Sequence, residues 1–110
     1  MTQEYKVIHY IEGDRDIFLE WLENLKDIRG LNAVRKVIDR VKSGNFGDNH
    51  YCRDGVWEFR IKLSPGYRVY YSISGKKIIL LLCGGSKQTQ DRDIDKAVEY
   101  LKKYKEEHKW

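Results

Sequence analysis

Apolar and polar residues alternate along Val56–Leu63 and again along Tyr67–Ile73, and this alternation is the clearest pattern in the chain. In the first segment Trp57, Phe59, Ile61 and Leu63 share one side, and Glu58, Arg60 and Lys62 share the other. In the second, Tyr67, Val69, Tyr71 and Ile73 oppose Arg68, Tyr70 and Ser72. Two strands joined by a tight reversal follow. A one-residue slip in their pairing would push cations into the core, so apolar must face apolar, and only an odd loop achieves that. Ser64-Pro65-Gly66 is the shortest such loop, with Gly66 free to take a positive φ. It places Lys62 opposite Arg68 and Arg60 opposite Tyr70.

The flanking patterns complete the architecture. Tyr5–Ile11 is rich in strand formers and breaks at Gly13. The spacing then turns helical: Phe18, Trp21, Leu22, Leu25 and Ile28 form one stripe, capped by Asp14 or Asp16 and stopped at Gly30. Leu31, Val34, Val37, Ile38 and Val41 form a second, ending at Gly44. Asn45–Asp54 is polar and glycine-marked, which predicts a loop. Lys77–Cys83 is a third strand, apolar on both faces and therefore expected in the middle of a covered sheet. Gly84 and Gly85 break it. Thr89 caps a last helix that carries Ile94, Ala97, Val98, Leu101 and Tyr104 inward and frays over Lys102–Lys109. Strand, helix, helix, three strands and helix make a single α+β domain over residues 1–110. Its helices cover the apolar face of a small antiparallel sheet, and its other face is left partly open.

Composition narrows the class. With 41% hydrophobic residues in 110, the chain holds enough apolar material for a core. Lys and Arg number 21 against 17 Asp and Glu, a modest excess of +4, so the placement of the cations matters more than their sum. Cys52 and Cys83 are too few for a disulfide framework and read as free thiols of a cytoplasmic protein. His9, His50 and His108 show no ligand spacing, so neither a metal nor a cofactor is expected. Residues 1–6 lack a signal-peptide pattern, and the longest apolar run, Ile78–Cys83, is too short to span a bilayer.

The candidate chemistry lies on the polar side of the strand pair. Arg60, Lys62 and Arg68 fall together with Tyr70 among them, and Lys87 and Gln88 follow the neighbouring strand. Guanidinium forks fit phosphate oxygens in pairs, ammonium groups add point charge, and a tyrosine ring can stack on a base. Such a face can grip single-stranded RNA; it can equally be a solvated surface partly neutralised by Glu58. Cleavage by the ribose 2′-hydroxyl would need Arg60 and Arg68 to stabilise phosphate charge and Lys62 or Lys87 to act as base. Tyr70 is a possible proton donor. Arg35, Lys36, Arg40 and Lys42 on the second helix could touch phosphates of a large RNA partner, but a solvated helix face is the preferred reading. Trp21 and Trp57 read as core, and Trp110, at the end of the sequence, as free to move. Gly84-Gly85-Ser86-Lys87 lacks the spacing of a nucleotide-binding loop.

Gly44-Asn-Phe-Gly-Asp48, Gly55-Val-Trp-Glu-Phe-Arg-Ile61, Pro65-Gly-Tyr-Arg-Val-Tyr-Tyr71 and Leu82-Cys-Gly-Gly-Ser-Lys-Gln-Thr-Gln-Asp-Arg-Asp-Ile94 together resemble the HigB-like addiction-module killer proteins of the RelE/ParE toxin superfamily. The resemblance covers nearly the whole chain. It implies a RelE-like toxin of a type II toxin–antitoxin module, with a helix-turn-helix antitoxin as partner and no membrane partner. It also implies metal-independent, ribosome-dependent cleavage of mRNA. Arg60 and Lys62 match the family's basic strand positions, Arg68 the arginine after the turn, and Lys87 the basic position after the last strand. Gln88 stands where relatives often carry a further arginine. Some members of the superfamily inhibit DNA gyrase instead, and a phage-derived interaction module is a third alternative.

Overall fold

The computed structural model describes residues 4–110. Residues 1–3, part of the segment read for targeting, lie outside the described residues. The chain opens with β1 (Lys6–His9), a two-rung hairpin β2 (Ile11–Glu12) and β3 (Arg15–Asp16), and two helices, α1 (Ile17–Glu23) and α2 (Ile28–Lys42). Four strands follow, β4 (Asn49–Arg53), β5 (Val56–Arg60), β6 (Arg68–Ser74) and β7 (Ile78–Gly85). A 3-10 turn at Lys87–Thr89 then leads into α3 (Gln90–Glu107). The main sheet runs β1-β7-β6-β5-β4. Its last four strands are antiparallel, and β1 joins β7 in parallel, Val7 beside Ile79. The α+β class expected from the sequence is the observed one. The parallel edge was not anticipated, because it depends on the chain returning to its own first strand.

Both faces of the sheet are covered. Phe18, Leu22, Val34 and Val41 of α1 and α2 pack on Phe59, Val69, Tyr71, Ile79 and Leu81. On the opposite face Ala97 and Leu101 of α3 pack on Val56, Tyr70, Leu80 and Leu82. The face expected to stay partly open therefore lies beneath α3. The cause is legible in β7: its apolar residues on both sides need a cover on each. The other consequence is that Arg68 and Tyr70 are buried.

Several local expectations change for identifiable reasons. The β5–β6 reversal spans five residues, Lys62–Gly66, closed by the Ile61 amide on the Tyr67 carbonyl (2.9 Å). The register is therefore Arg60↔Arg68 and Glu58↔Tyr70. The loop is still odd, so the faces are kept, but every expected pair moves by two. Asn49–Arg53, expected as loop, is the edge strand β4 and carries Cys52. Asp16, not Asp14, caps α1, its carboxylate accepting from the Leu19 amide (3.0 Å). Gly30 does not stop a helix; it lies inside α2, which Asp27 caps.

A Cβ on Gly30 would stand 2.4 Å from the Tyr67 ring, so only glycine lets α2 approach the reversal this closely. Gly84 and Gly85 likewise do not break β7. They complete it, and a Cβ on either would meet Trp21 (2.2 Å) or Asp93 (1.9 Å). Lys102–Glu107 continues α3 instead of fraying. Trp110 is docked, its indole donating to the Ser72 hydroxyl (3.0 Å) and meeting Tyr104 edge-on. Among the described residues no helix is long and apolar enough to cross a membrane.

Candidate functional site

A helix that starts at Ile28 places Arg29, Lys36 and Arg40 along one stripe, because steps of seven and four residues return to the same side. That stripe is exposed but not isolated. It forms one wall of a groove of about 670 Å³ whose other wall is the end of β5 and the start of the reversal, Arg60, Ile61, Lys62 and Leu63. Ala33, Val37 and Phe46 add an apolar floor. Phe46 is held by the Tyr5 ring at 5.0 Å and the Phe59 ring at 6.0 Å.

Charge in the groove is one-sided. Five cations, Arg29, Lys36, Arg40, Arg60 and Lys62, line it together with one carboxylate, Asp48. Asp48 is itself engaged by His50, Nε2 to Oδ1 at 2.7 Å. Among the described residues Arg29, Lys36, Arg40 and Lys62 form no ion pair, whereas Arg60 does. A concave surface lined by one sign of charge concentrates its field and favours a polyanion. The apolar floor offers the flat face of a base somewhere to rest.

Behind the groove lies a buried polar cluster. Glu58 is 1% exposed and accepts from Arg60 Nε (2.5 Å), Arg68 (3.3 Å) and the Gln90 amide at the start of α3 (3.0 Å). The hydrogen bond that Arg60 donates to Glu58 pushes the Arg60 pKa further above its ordinary range. The Cys52 thiol donates to the same carboxylate at 3.7 Å; burial, then the Glu58 charge, pushes its pKa up to about 12. Tyr70 lies opposite Glu58 with no partner for its hydroxyl among the described residues, and burial raises its pKa well above the usual phenol range. The Arg68 Nε is likewise without a partner among the described residues.

The residues singled out from the sequence thus separate into three places. Arg60 and Lys62 line the groove. Arg68 sits opposite Arg60 but is spent on Glu58, and Tyr70 is sealed under α3, so a stacking role for Tyr70 is corrected by its burial. Lys87 and Gln88 are exposed in the 3-10 turn, at a shallow depression of about 330 Å³. The Lys87 Cβ would lie 3.4 Å from a side chain on Gly66, so Lys62 and Lys87 bracket the same reversal. Arg29 and Gln90 are site residues that the sequence reading does not single out, and Lys36 and Arg40 are ones it sets aside as a solvated helix face. The stripe spacing of Arg29, Lys36 and Arg40 was readable, but which wall the stripe would face depends on packing.

A family model described as "Phage derived protein Gp49-like" matches residues 16–103, a span that runs from the α1 cap to the fourteenth residue of α3 and contains the whole groove. The chain is also 44% identical over 80 residues to an uncharacterized protein of Haemophilus influenzae (strain ATCC 51907 / DSM 11121 / KW20 / Rd), across 73% of this chain and 81% of that one.

Proposed function

We propose that this chain, which belongs to the phage-derived Gp49-like protein family, is the toxin of a type II toxin–antitoxin module and acts on mRNA. The observation that carries this reading is the groove, in which five cations meet a single, already engaged carboxylate above an apolar floor. Phosphates of a single strand lie along Arg29, Lys36 and Arg40, and the linkage to be cut lies at Arg60 and Lys62. The antitoxin is a helix-turn-helix protein that neutralises the toxin by binding it.

In the proposed reaction the 2′-oxygen bonds to the adjacent phosphorus, the bond from phosphorus to the 5′-oxygen breaks, and the products are a 2′,3′-cyclic phosphate and a free 5′-hydroxyl. One proton leaves the 2′-hydroxyl and one reaches the 5′-oxygen. Arg60 stabilises the charge that grows on the phosphate oxygens, the contribution that preorganised cations make best. Arg68 acts from behind through the shared carboxylate. Of Lys62 and Lys87, one as a free amine takes the proton of the 2′-hydroxyl and the other as an ammonium gives one to the 5′-oxygen.

Inducing the chain in a bacterium and mapping mRNA ends tests the reading. Cuts in phase with codons in translated messages are the expected result, abolished by Arg60→Ala with Lys62→Ala. Broken DNA with intact messages would replace it with gyrase inhibition, and unimpaired growth with a non-toxic interaction module.

A further inference from the structure

A carboxylate as buried as Glu58 is costly unless its oxygens are filled. They are filled from four elements: by Cys52 of β4, Arg60 of β5, Arg68 of β6 and Gln90 of α3. The two arginines use it differently. Arg68 is almost wholly buried, its side chain 9% exposed, and contacts Glu58 through a terminal nitrogen. Arg60 is 40% exposed, lines the groove and gives Glu58 only its Nε. The two terminal nitrogens of Arg60 have no partner among the described residues. A planar guanidinium held by Nε leaves its outer pair of N–H groups for a bidentate contact.

We infer that Glu58 is a positioning residue for phosphate recognition: its buried carboxylate clamps Arg60 by Nε and presents the terminal fork to a phosphate of RNA in the groove. Arg68 and Gln90 hold the clamp in place from β6 and α3. The inference rests on the proposed RNA-directed function and assigns within it a residue that itself touches no RNA. Without the clamp, an exposed arginine samples many rotamers and loses that entropy on binding. With it, the fork is set before the ligand arrives.

The test is a salt titration of the full chain with a fluorescent single-stranded oligoribonucleotide, read by anisotropy. Each phosphate neutralised on a single strand contributes about 0.7 to the slope of log K against log salt. Arg60→Ala is expected to lower the slope by about 0.7, one phosphate on a single strand. Glu58→Gln is expected to lower it equally, and the double variant no further. Glu58→Asp keeps a carboxylate charge in the buried cluster and shortens its reach to Arg60. It decides the matter should Glu58→Gln not fold, and the same reduced slope is expected.

A wild-type slope in a folded Glu58 variant, or losses that add in the double variant, would overturn the positioning role. Lys36→Ala separates this from the wider reading. If Lys36→Ala lowers the slope while the Glu58 variants do not, only the clamp is lost. If the wild-type chain binds with no salt dependence, the groove reading falls and the clamp with it.

Discussion

Arg60 and Arg68 stand directly opposite each other in the β5–β6 ladder, and one buried carboxylate, Glu58, accepts a hydrogen bond from both. Like charges in that position destabilise a sheet, so the carboxylate is what makes the pair tolerable. Glu58→Ala leaves the buried Arg68 guanidinium without a counter-charge, and such a broken pair costs about 3–5 kcal/mol. Adding Arg68→Met should recover most of that loss, because the buried charge is then gone from both sides. Urea denaturation of the single and double variants checks both statements. Equal stability of the two would show that Arg68 is not the group Glu58 neutralises.

Gly30 is set by contact. Its Cα faces the Tyr67 ring, whose hydroxyl is tethered to Asp27 at 3.3 Å, and a Cβ would come within 2.4 Å of that ring. Alanine in place of glycine improves helix propensity by about 1 kcal/mol. Overpacking a fixed ring costs about 1–3 kcal/mol. The ring is buried and held at its far end, so the clash wins. Gly30→Ala is expected to lower stability in thermal melts, and in a Tyr67→Leu background the same change is expected to raise it.

The same glycine shows where sequence reasoning stops. Both helices, the strand pair, β7 and α3 follow from periodicity, and Asp16 was among the two caps considered. A glycine between two apolar stripes reads locally as a helix end. Only the approach of Tyr67, 37 positions downstream, makes it a helix interior residue. Gly84 and Gly85 read locally as strand breakers for the same reason, since Trp21 and Asp93 come from other elements. The site divides likewise. Arg60 and Lys62 were identified from alternation, and so was the kinship of Glu58 with them. That α3 would bury Arg68 and Tyr70, and that α2 would turn Arg29, Lys36 and Arg40 toward Arg60, are facts of packing that local pattern does not contain.

Burial raises the pKa of the Cys52 thiol to about 12 and that of the Cys83 thiol to about 12, and moves the Tyr70 and Tyr71 phenols upward as well. Each group binds its proton more tightly folded than unfolded. The stability this confers is complete below the unfolded values, about 8.5 for Cys and 10 for Tyr. It is lost as pH rises toward the folded ones. The melting temperature should therefore be insensitive to these groups up to about pH 8 and fall steadily above it. In step with this, neither thiol should react with a thiol reagent at pH 8 in the folded chain, and both should react in urea. Fast labelling of Cys52 in the native state would contradict its half-buried place beside Glu58.

Helix α2 offers the sharpest test of the groove, because neighbouring cations on it have different surroundings. Lys36 and Arg40 line the groove, while Arg35, adjacent in sequence and also exposed, does not. A helix whose cations serve only solvation would respond alike to all three. In the proposed function, Lys36→Glu and Arg40→Glu each remove one phosphate contact and add a repulsive charge. Both should relieve growth arrest on induction and weaken oligoribonucleotide binding by more than ten-fold at low salt. Arg35→Glu makes the same change in net charge and should leave toxicity intact and binding within about two-fold. The three positions are solvent-facing, so folding should be preserved in all of them, and circular dichroism melts verify that. Equal effects at Arg35 and Lys36 would mean that net charge alone, and not the groove between α2 and the β5 end, governs the interaction with RNA.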